Sequence, residues 1–223
     1  VTVQQEISQV DVKSPHVVII GAGASRAACP NGDLYGRKLP LMADFMDILP
    51  VKGVLDKIDI KYAGRNFEEV YSEIASKFQN EVFLHKLEKI IYDYFASLQL
   101  PDTPNIYDYV LLSLRRKDVI ATFNWDPFLL QAARRLKIRN DSLPTIFFLH
   151  GNVLAGYCEN DKVRGVKGAI CSKCNKPFSR SKLLYPISEK NYENDPMILD
   201  SWEALKDALK HAFMVTVFGY GAP

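Results

Sequence analysis

HVVIIGAGAS, residues 16–25, is the stretch of this 223-residue chain that decides its fold. Its apolar, β-branched start predicts a buried parallel strand. The glycines that follow, Gly21 and Gly23, allow a tight turn and let backbone N–H groups approach a ligand closely. From Arg26 on, the chain can open a helix whose N-terminus favours an anion. Two interpretations stay open, a phosphate cradle and an ordinary strand-to-loop turn, because Arg26 replaces the third glycine of the dinucleotide fingerprint.

Composition and charge limit the classes of protein to which the chain can belong. It is 48% hydrophobic and 24% charged, and its net charge of +2 neither requires nor excludes nucleic acid as a partner. No apolar run approaches the roughly 20 residues that cross a bilayer, and residues 1–16 lack the apolar core of a signal peptide. Four cysteines, three of them late in the chain, do not make a secreted disulfide scaffold. We therefore expect a cytoplasmic protein without a membrane partner.

The pattern of strands and helices predicts the fold class. Further strands are predicted at 118–123, 145–149 and 214–218. Because these strands alternate with helical patterns, we expect a doubly wound, mostly parallel, Rossmann-like sheet in one α/β domain covering residues 1–223. Position 1 is Val rather than Met and the sequence stops beside the last predicted strand, so the chain is expected to be the N-terminal part of a longer protein.

A helical insertion is predicted at about 60–100. Asn66 and Glu69 form a capping-box pair, and apolar residues recur at helical spacing from there to Pro101, as one long helix or two shorter ones. Further helices are predicted at 105–116, 128–137 and 202–212. The turn formers at 29–33 predict a loop placed where it could fold over a ligand bound at the glycine turn.

Every predicted strand ends in polar residues or glycine. The four ends read GAGAS (21–25), FNWD (123–126), HG (150–151) and GYG (219–221). In open α/β sheets, ligands bind at the carboxyl ends of the strands, so we expect the four ends to meet in one crevice. One such motif is a weak signal, whereas four at matching positions indicate a ligand-binding site.

The order of these motifs resembles the Sir2-like (sirtuin-fold) NAD-utilising domains. Closest in pattern is the prokaryotic branch whose members hydrolyse NAD+, often in antiviral defence, and residues 185–205 resemble the segment that this branch carries before its last NAD-contacting strand. The motifs that carry the resemblance are GAGAS (21–25), TFNWD (122–126), LHGN (149–152), a cysteine-bearing insert (158–174) and VFGYGAP (217–223). The resemblance implies an NAD+ glycohydrolase, with NAD+ as substrate, that acts in antiphage defence by NAD+ depletion. The alternatives are an NAD-dependent protein deacylase and a non-catalytic module that senses NAD or ADP-ribose.

The resemblance also assigns roles to individual residues. Asn124 and His150 would flank the nicotinamide ribose as the catalytic pair: a neutral imidazole accepts a proton from a ribose hydroxyl or water, and the asparagine positions the water. The cofactor-contacting residues would be Gly21, Ala22, Gly23 and Ser25 at the pyrophosphate, Asp126 near the nicotinamide, and Gly219, Tyr220 and Gly221 on the adenosine side. Two structural alternatives stay open, namely that Asn124 caps the helix after Pro127 and that His150 orders a turn.

Departures from the deacetylase pattern favour NAD+ hydrolysis over deacylation. Phe123 stands where deacetylases have a glutamine before the asparagine, and residues 30–33 replace the family's Asp-Phe-Arg after the glycine loop. No substrate-binding strand is recognisable after the cysteine insert. Since unregulated NAD+ hydrolysis would be toxic to its own cell, the resemblance further implies control by homo-oligomerisation, by a regulatory partner protein or by an additional C-terminal domain.

The cysteine-bearing insert, about 153–184, is a candidate metal site. Cys158, Cys171 and Cys174 stand where deacetylase sirtuins carry a four-cysteine zinc ribbon, and Asp161 occupies the place of the missing partner. Three outcomes stay open: a structural Zn2+ held by three cysteines and Asp161, a ribbon that has lost its metal, or a fourth ligand from a partner. The insert is also basic, which predicts a solvated surface or, as a minority hypothesis, one that docks nucleic acid or an acidic partner.

Overall fold

Four parallel strands form the central sheet. The computed structural model of the chain describes residues 2–8, 14–58, 60–77, 81–137, 142–185 and 195–221. In chain order, the strands are β1 (His16–Ile20), β2 (Val119–Thr122), β3 (Thr145–Phe148), β4 (Ala155–Cys158), β5 (Val163–Val166), β6 (Ser179–Arg180) and β7 (Met214–Phe218). The central sheet has the order β3-β2-β1-β7, with Val17 opposite Val119 on one side and Val215 on the other. Each of its pairings is parallel, as the sequence predicts.

Helices cover both faces of this sheet. In chain order, they are α1 (Val3–Ser8), α2 (Ala22–Ala28), a 3-10 helix (Met42–Asp44), α3 (Phe45–Ile48), α4 (Lys52–Leu55), α5 (Phe67–Lys77), α6 (Glu81–Ser97), α7 (Ile106–Ser113), α8 (Phe128–Arg135) and α9 (Pro196–His211). On β1, Val18 and Ile20 lie in a large core with residues of α5 to α8, whereas Val17 lies in a smaller core with Leu205 of α9. Because alternate side chains of a strand point to opposite faces, this division confirms the predicted doubly wound α/β fold.

The predicted helical insertion consists of two helices, α5 and α6. Asn66 precedes α5, and its side-chain oxygen accepts a hydrogen bond from the backbone N–H of Glu69 at 2.9 Å, as a capping pair should. Residues 78–80, between the two helices, lie outside the described ranges. Within those ranges, no helix combines the length and the apolar character that crossing a bilayer requires.

The last helix begins earlier than predicted. α9 starts at Pro196 rather than at 202, because Asp195 accepts hydrogen bonds at 2.9 and 3.1 Å from two backbone N–H groups of the first turn. A proline at the first helical position has no N–H group to leave unsatisfied, which suits this start. Residues 186–194, part of the segment that supports the family resemblance, lie outside the described ranges.

The cysteine-bearing insert forms a small sheet of its own. β4 lies between β5 and β6, and both pairings are antiparallel. After β6 the chain returns to the central sheet, where the backbone N–H of Leu184 donates to the carbonyl oxygen of His150 at 2.9 Å. The insert is therefore attached directly beside the carboxyl end of β3.

Candidate functional site

The carboxyl ends of the four central strands surround one cavity, as the sequence predicts. The cavity, which we call the crevice, has a volume of about 660 Å³. It is lined by Gly21, Ala22, Gly23, Leu41, Met42, Ala43, Phe123, Asn124, His150, Gly219, Tyr220 and Gly221. The structure thus brings together every residue expected to act in catalysis or to contact the cofactor, except for Ser25 and Asp126, which line the neighbouring cavity.

The second cavity, of about 120 Å³, adjoins the crevice. The residues that line both cavities are Ala22, Met42, Phe123, Asn124 and His150. The remaining lining residues of the small cavity are Ser25, Leu39, Pro40, Phe45, Phe95, Trp125 and Asp126. Mostly apolar walls that carry a few polar groups are typical of small-molecule sites.

The glycines of the first turn pack against the end of β7. The backbone N–H of Gly21 donates to the carbonyl oxygen of Phe218 at 3.1 Å, and that of Gly23 donates to the carbonyl oxygen of Gly219 at 2.8 Å. A Cβ atom on Gly21 would lie 2.6 Å from the carbonyl oxygen of Gly219. We expected the two glycines to let backbone N–H groups approach a ligand, and their own N–H groups bond to the end of β7. The close contact between the strand ends is therefore what requires glycine here, and a cofactor contact of either residue stays a prediction.

The side chain of Asn124 is held in one orientation. Its Nδ2 donates to the carbonyl oxygen of Gly21 at 2.9 Å and to Ser25 Oγ at 2.8 Å, and it lies 3.1 Å from the Tyr107 hydroxyl oxygen. Because a carbonyl oxygen only accepts hydrogen bonds, the Gly21 contact identifies the nitrogen end of the amide. The other end, Oδ1, is buried and has no hydrogen-bond partner among the described residues. A ligand or a water molecule in the cavity can satisfy such an acceptor.

Ser25, Tyr107 and Asp126 form a buried hydrogen-bonded chain behind Asn124. Ser25 Oγ donates to Asp126 Oδ2 at 2.6 Å and lies 2.5 Å from the Tyr107 hydroxyl. The other carboxylate oxygen of Asp126 accepts from the backbone N–H of Phe128 at 3.1 Å. The side chain that bonds to the first turn of α8 is therefore Asp126 and not, as one alternative had it, Asn124. Burial raises the pKa of Asp126 to about 6, against the opposing effect of the hydrogen bonds from Ser25 and Phe128.

His150 lies in the wall shared by the two cavities and contacts Phe123. The two rings meet edge to face with their centroids 4.8 Å apart, and the ring of Tyr220 stacks on Phe123 at 4.6 Å. Phe123 therefore lies in contact with predicted site residues that follow β3 and β7. The sequence distinguished Phe123 only as a departure from a family pattern.

Asn152 joins the end of β3 to the loop after β2. Its Nδ2 donates to the carbonyl oxygens of Asp126 and Asn124 at 2.7 and 3.3 Å, and its Oδ1 accepts from the backbone N–H of Leu154 at 2.9 Å. The side chain is buried. This last residue of the LHGN motif thus fixes the backbone from which Asn124 projects, relative to the strand that carries His150.

The loop that we expected to cover the ligand lies elsewhere. Residues 29–32 line a separate cavity of about 970 Å³, and residues 39–43 lie over the crevice and the small cavity instead. Residues 29–32 line neither the crevice nor the small cavity, and that this loop folds over a bound ligand stays a prediction. Sequence reasoning also missed Tyr107, because a tyrosine in the apolar stripe of a helix has the pattern of an ordinary core residue.

The four predicted metal ligands converge. Cys158 ends β4, and its sulfur and those of Cys171 and Cys174 lie with a carboxylate oxygen of Asp161 within 4.8 Å of one another. Cys158 Sγ is 3.4 Å from Cys174 Sγ, and Asp161 Oδ2 is 3.2 Å from Cys171 Sγ. A tetrahedral zinc ion with Zn–S bonds of about 2.3 Å needs donor atoms about 3.7 Å apart, close to these separations. The donor set therefore fits zinc, with all four donors supplied by this chain.

Comparison with known proteins finds similarity at the level of structure alone. No family model matches the chain, and no curated protein is significantly similar to it. Among similar solved structures, a sirtuin from work on the structural basis of sirtuin substrate affinity is 17% identical, with a TM-score of 0.45 over 99% of this chain and 78% of that one. A Sir2 homologue in complex with NAD is 14% identical, with a TM-score of 0.44 over 98% and 73% of the two chains. Sir2 bound to an acetylated peptide is 18% identical, with a TM-score of 0.41 over 97% and 75%. TM-scores below 0.5 establish neither the fold nor the activity of this chain, so both rest on its own residues.

Proposed function

We propose that this chain binds NAD+ in the crevice and hydrolyses the bond between nicotinamide and ribose, releasing nicotinamide and ADP-ribose. The observation that carries the proposal is that Asn124 and His150 line both cavities, and that the buried Oδ1 of Asn124 has no hydrogen-bond partner among the described residues. The crevice has a volume suited to a dinucleotide, and the small cavity has aromatic walls suited to a flat ring. The order of the sequence motifs supports the same assignment.

The residues around Asn124 fit different parts of this substrate. We propose that Gly219, Tyr220 and Gly221 line the adenosine side and that Ala22 and its flanking glycines lie at the pyrophosphate. Asp126 lines the small cavity and would lie near the nicotinamide. The hydroxyl of Ser25 is already hydrogen-bonded to three protein groups. We therefore propose that it holds the side chain of Asn124 in place and does not contact the pyrophosphate directly.

Two groups would carry out the chemistry. As the C–N bond breaks, its electron pair goes to the nicotinamide nitrogen, and positive charge develops on the ribose. The free Oδ1 of Asn124 accepts a hydrogen bond from the water that attacks the anomeric carbon. The imidazole of His150 accepts the proton that this water loses. Because the amide nitrogen of Asn124 is already held by protein acceptors, the oxygen does not have to reorient when substrate binds.

The test is to incubate the full-length protein with NAD+ and to follow nicotinamide and ADP-ribose by chromatography. Asn124→Ala and His150→Ala should each abolish nicotinamide release, whereas NAD+ binding measured by calorimetry persists. His85→Ala is the matched control, because this histidine is an exposed residue of α6 outside both cavities and should leave the rate unchanged. Full activity in both site variants would rule out the proposal.

A protein deacylase is the second candidate, because the cysteine cluster follows β3 as the zinc ribbon of deacetylase sirtuins would. The same assay with an acetylated peptide distinguishes the two: a deacylase consumes NAD+ only as the peptide loses its acetyl group. Binding of NAD+ or ADP-ribose without turnover would instead support a sensing module. The cellular role that we propose, antiphage defence by NAD+ depletion under the control of oligomerisation, a partner or a further domain, rests on the sequence resemblance alone.

We also propose that Cys158, Asp161, Cys171 and Cys174 hold a structural Zn2+. The convergence of three thiols and one carboxylate supports this. A bound ion would cross-link the turn after β4 to the 171–174 turn and supply folding energy to a sheet that is too small to have a large core of its own. It would take no part in the chemistry at Asn124.

A further inference from the structure

Tyr107 contacts the site of Asn124 from within the protein. It is 1% exposed, and its hydroxyl lies 2.5 Å from Ser25 Oγ and 3.1 Å from Asn124 Nδ2. Tyr107 belongs to α7 and lines neither of the two cavities at the strand ends. Because a phenylalanine would fill the same space, packing alone does not account for the hydroxyl group.

The direction of each hydrogen bond follows from the carboxylate of Asp126. An ionised carboxylate only accepts, so the hydroxyl hydrogen of Ser25 points to Asp126. Ser25 Oγ can then only accept from its other neighbours, which means that the hydroxyl hydrogen of Tyr107 points to Ser25. The phenol oxygen is left as an acceptor facing Asn124 Nδ2. Burial and the nearby Asp126 raise the pKa of Tyr107 well above its usual value, so the phenol keeps its hydrogen.

We propose that Tyr107 is a positioning residue for Asn124. Together with the carbonyl oxygen of Gly21 and Ser25 Oγ, its oxygen surrounds the amide nitrogen with acceptors. A flipped amide would place Oδ1 against these same oxygens, which is repulsive, so Oδ1 is kept as the end of the amide without a protein partner among the described residues. The proposal rests on the proposed function in one respect: the held oxygen matters for catalysis only if Asn124 positions the attacking water.

Tyr107→Phe removes a single oxygen and tests this role. We expect kcat for nicotinamide release to fall about fivefold to tenfold, the effect of losing one buried hydrogen bond, with KM for NAD+ unchanged within about twofold. Tyr71→Phe is the matched control: Tyr71 is also buried, and its hydroxyl donates to Glu88 at 2.7 Å, outside both cavities. It should lose stability to a similar extent without a change in kcat. An unchanged kcat in Tyr107→Phe, or an equal loss in both variants, would overturn the proposal.

A second measurement does not depend on turnover. The side-chain amide of Asn124 can be assigned by NMR as the signal missing from Asn124→Ala, and its hydrogen exchange should be slow in the native protein. Tyr107→Phe should shift this signal and speed its exchange, whereas Tyr71→Phe should not. Ser25→Ala, which removes an acceptor that Asn124 Nδ2 contacts directly at 2.8 Å, is the positive control for the signal change that a lost acceptor produces. An unmoved signal refutes the positioning role, whereas a shifted signal without any NAD+ hydrolysis refutes only the proposed function.

Discussion

Replacing Asp126 by asparagine should change how the stability of the protein depends on pH. The carboxylate is buried and accepts hydrogen bonds from Ser25 Oγ at 2.6 Å and from the backbone N–H of Phe128 at 3.1 Å. Burial outweighs these bonds and raises its pKa from 3.8 to about 6. The amide side chain in Asp126→Asn would occupy the same space without a titrating group, so the substitution isolates the contribution of this one carboxyl.

Whether the free energy of unfolding rises or falls with pH depends on which state, native or unfolded, keeps the proton of Asp126 to a higher pH. Between about pH 4 and pH 6, the native state holds a proton on Asp126 that the unfolded state has already lost. Stability therefore falls as the pH rises through this window, and the loss is complete once the native carboxyl has ionised. A difference of about two pH units between the native and unfolded pKa values corresponds to about 3 kcal/mol. Because Asp126 is buried, solvent screening does not reduce this figure much.

The assay is denaturant unfolding of the native chain and of Asp126→Asn from pH 4.5 to 7.5. Over this range the difference in free energy of unfolding should move by about 2 kcal/mol in favour of the variant as the pH rises, because the rest of the change falls below pH 4.5 and other carboxyls titrate alike in both proteins. Loss of a hydrogen bond in the variant adds an offset that is the same at every pH. Parallel profiles would refute the reasoning.

Asp33→Asn is the control of opposite sign. Burial alone would raise the pKa of Asp33, but hydrogen bonds from the Arg37 side chain and from the backbone N–H of Gln99 overcome it and lower the pKa. The stability that Asp33 contributes is therefore present at neutral pH and lost as the pH falls. The difference between native protein and Asp33→Asn should shrink on acidification, whereas Asp126→Asn should lose its advantage there.

Two further substitutions test the metal site and the contact between the strand ends. Asp161→Ala should release zinc to a chelator faster than the native chain, because it removes one of four ligands; the measurement is metal analysis after dialysis. Glu159→Ala, which changes an exposed acid outside the cluster, should release zinc no faster than the native chain. Equal zinc retention in the two variants would contradict the role of Asp161 as a ligand. Gly219→Ala should lower the free energy of unfolding by at least about 2 kcal/mol, since φ is +63° and a Cβ atom would lie 2.0 Å from the backbone nitrogen of Ala24. Gly221→Ala, whose Cβ would meet no atom of the described residues within 4 Å, should cost much less in the same thermal or denaturant melt, and similar losses would contradict the steric argument.

The crevice could be predicted from the sequence because its signals are local. Polar residues directly after an apolar run mark a strand end, and the carboxyl ends of parallel strands share one edge of the sheet. This rule places Asn124 and His150 at one edge of the sheet, and the family resemblance pairs them as catalytic residues. The cysteine cluster was implied by the resemblance to the zinc ribbon of deacetylase sirtuins, since the spacing of Cys158 and Asp161 alone brings only these two side chains into one turn.

What could not be predicted depends on residues far apart in the chain. The sheet order places β7 beside β1, and this contact gives Gly21 and Gly23 a different role from the expected one. Tyr107 is separated from Ser25 by 82 positions, and nothing in a helical apolar stripe shows which member will meet a hydroxyl group. Hydrophobic periodicity reports which face of a helix is buried, but not the polar atoms against which that face packs.

The stability cost at Asp126 and the orientation of Asn124 have one physical origin. The ionised carboxylate is expensive to bury, and among the side chains of Ser25, Tyr107 and Asp126 it is the one that cannot donate a hydrogen bond. It sets the direction of the Ser25 hydroxyl, then of the Tyr107 hydroxyl, and so leaves acceptors around the amide nitrogen of Asn124. The asparagine introduced by Asp126→Asn can offer either a donor or an acceptor to Ser25, so this direction is no longer imposed. Asp126→Asn should therefore be more stable relative to the native chain above pH 6 than below it, yet slower in releasing nicotinamide, as expected where a destabilising group is kept for function.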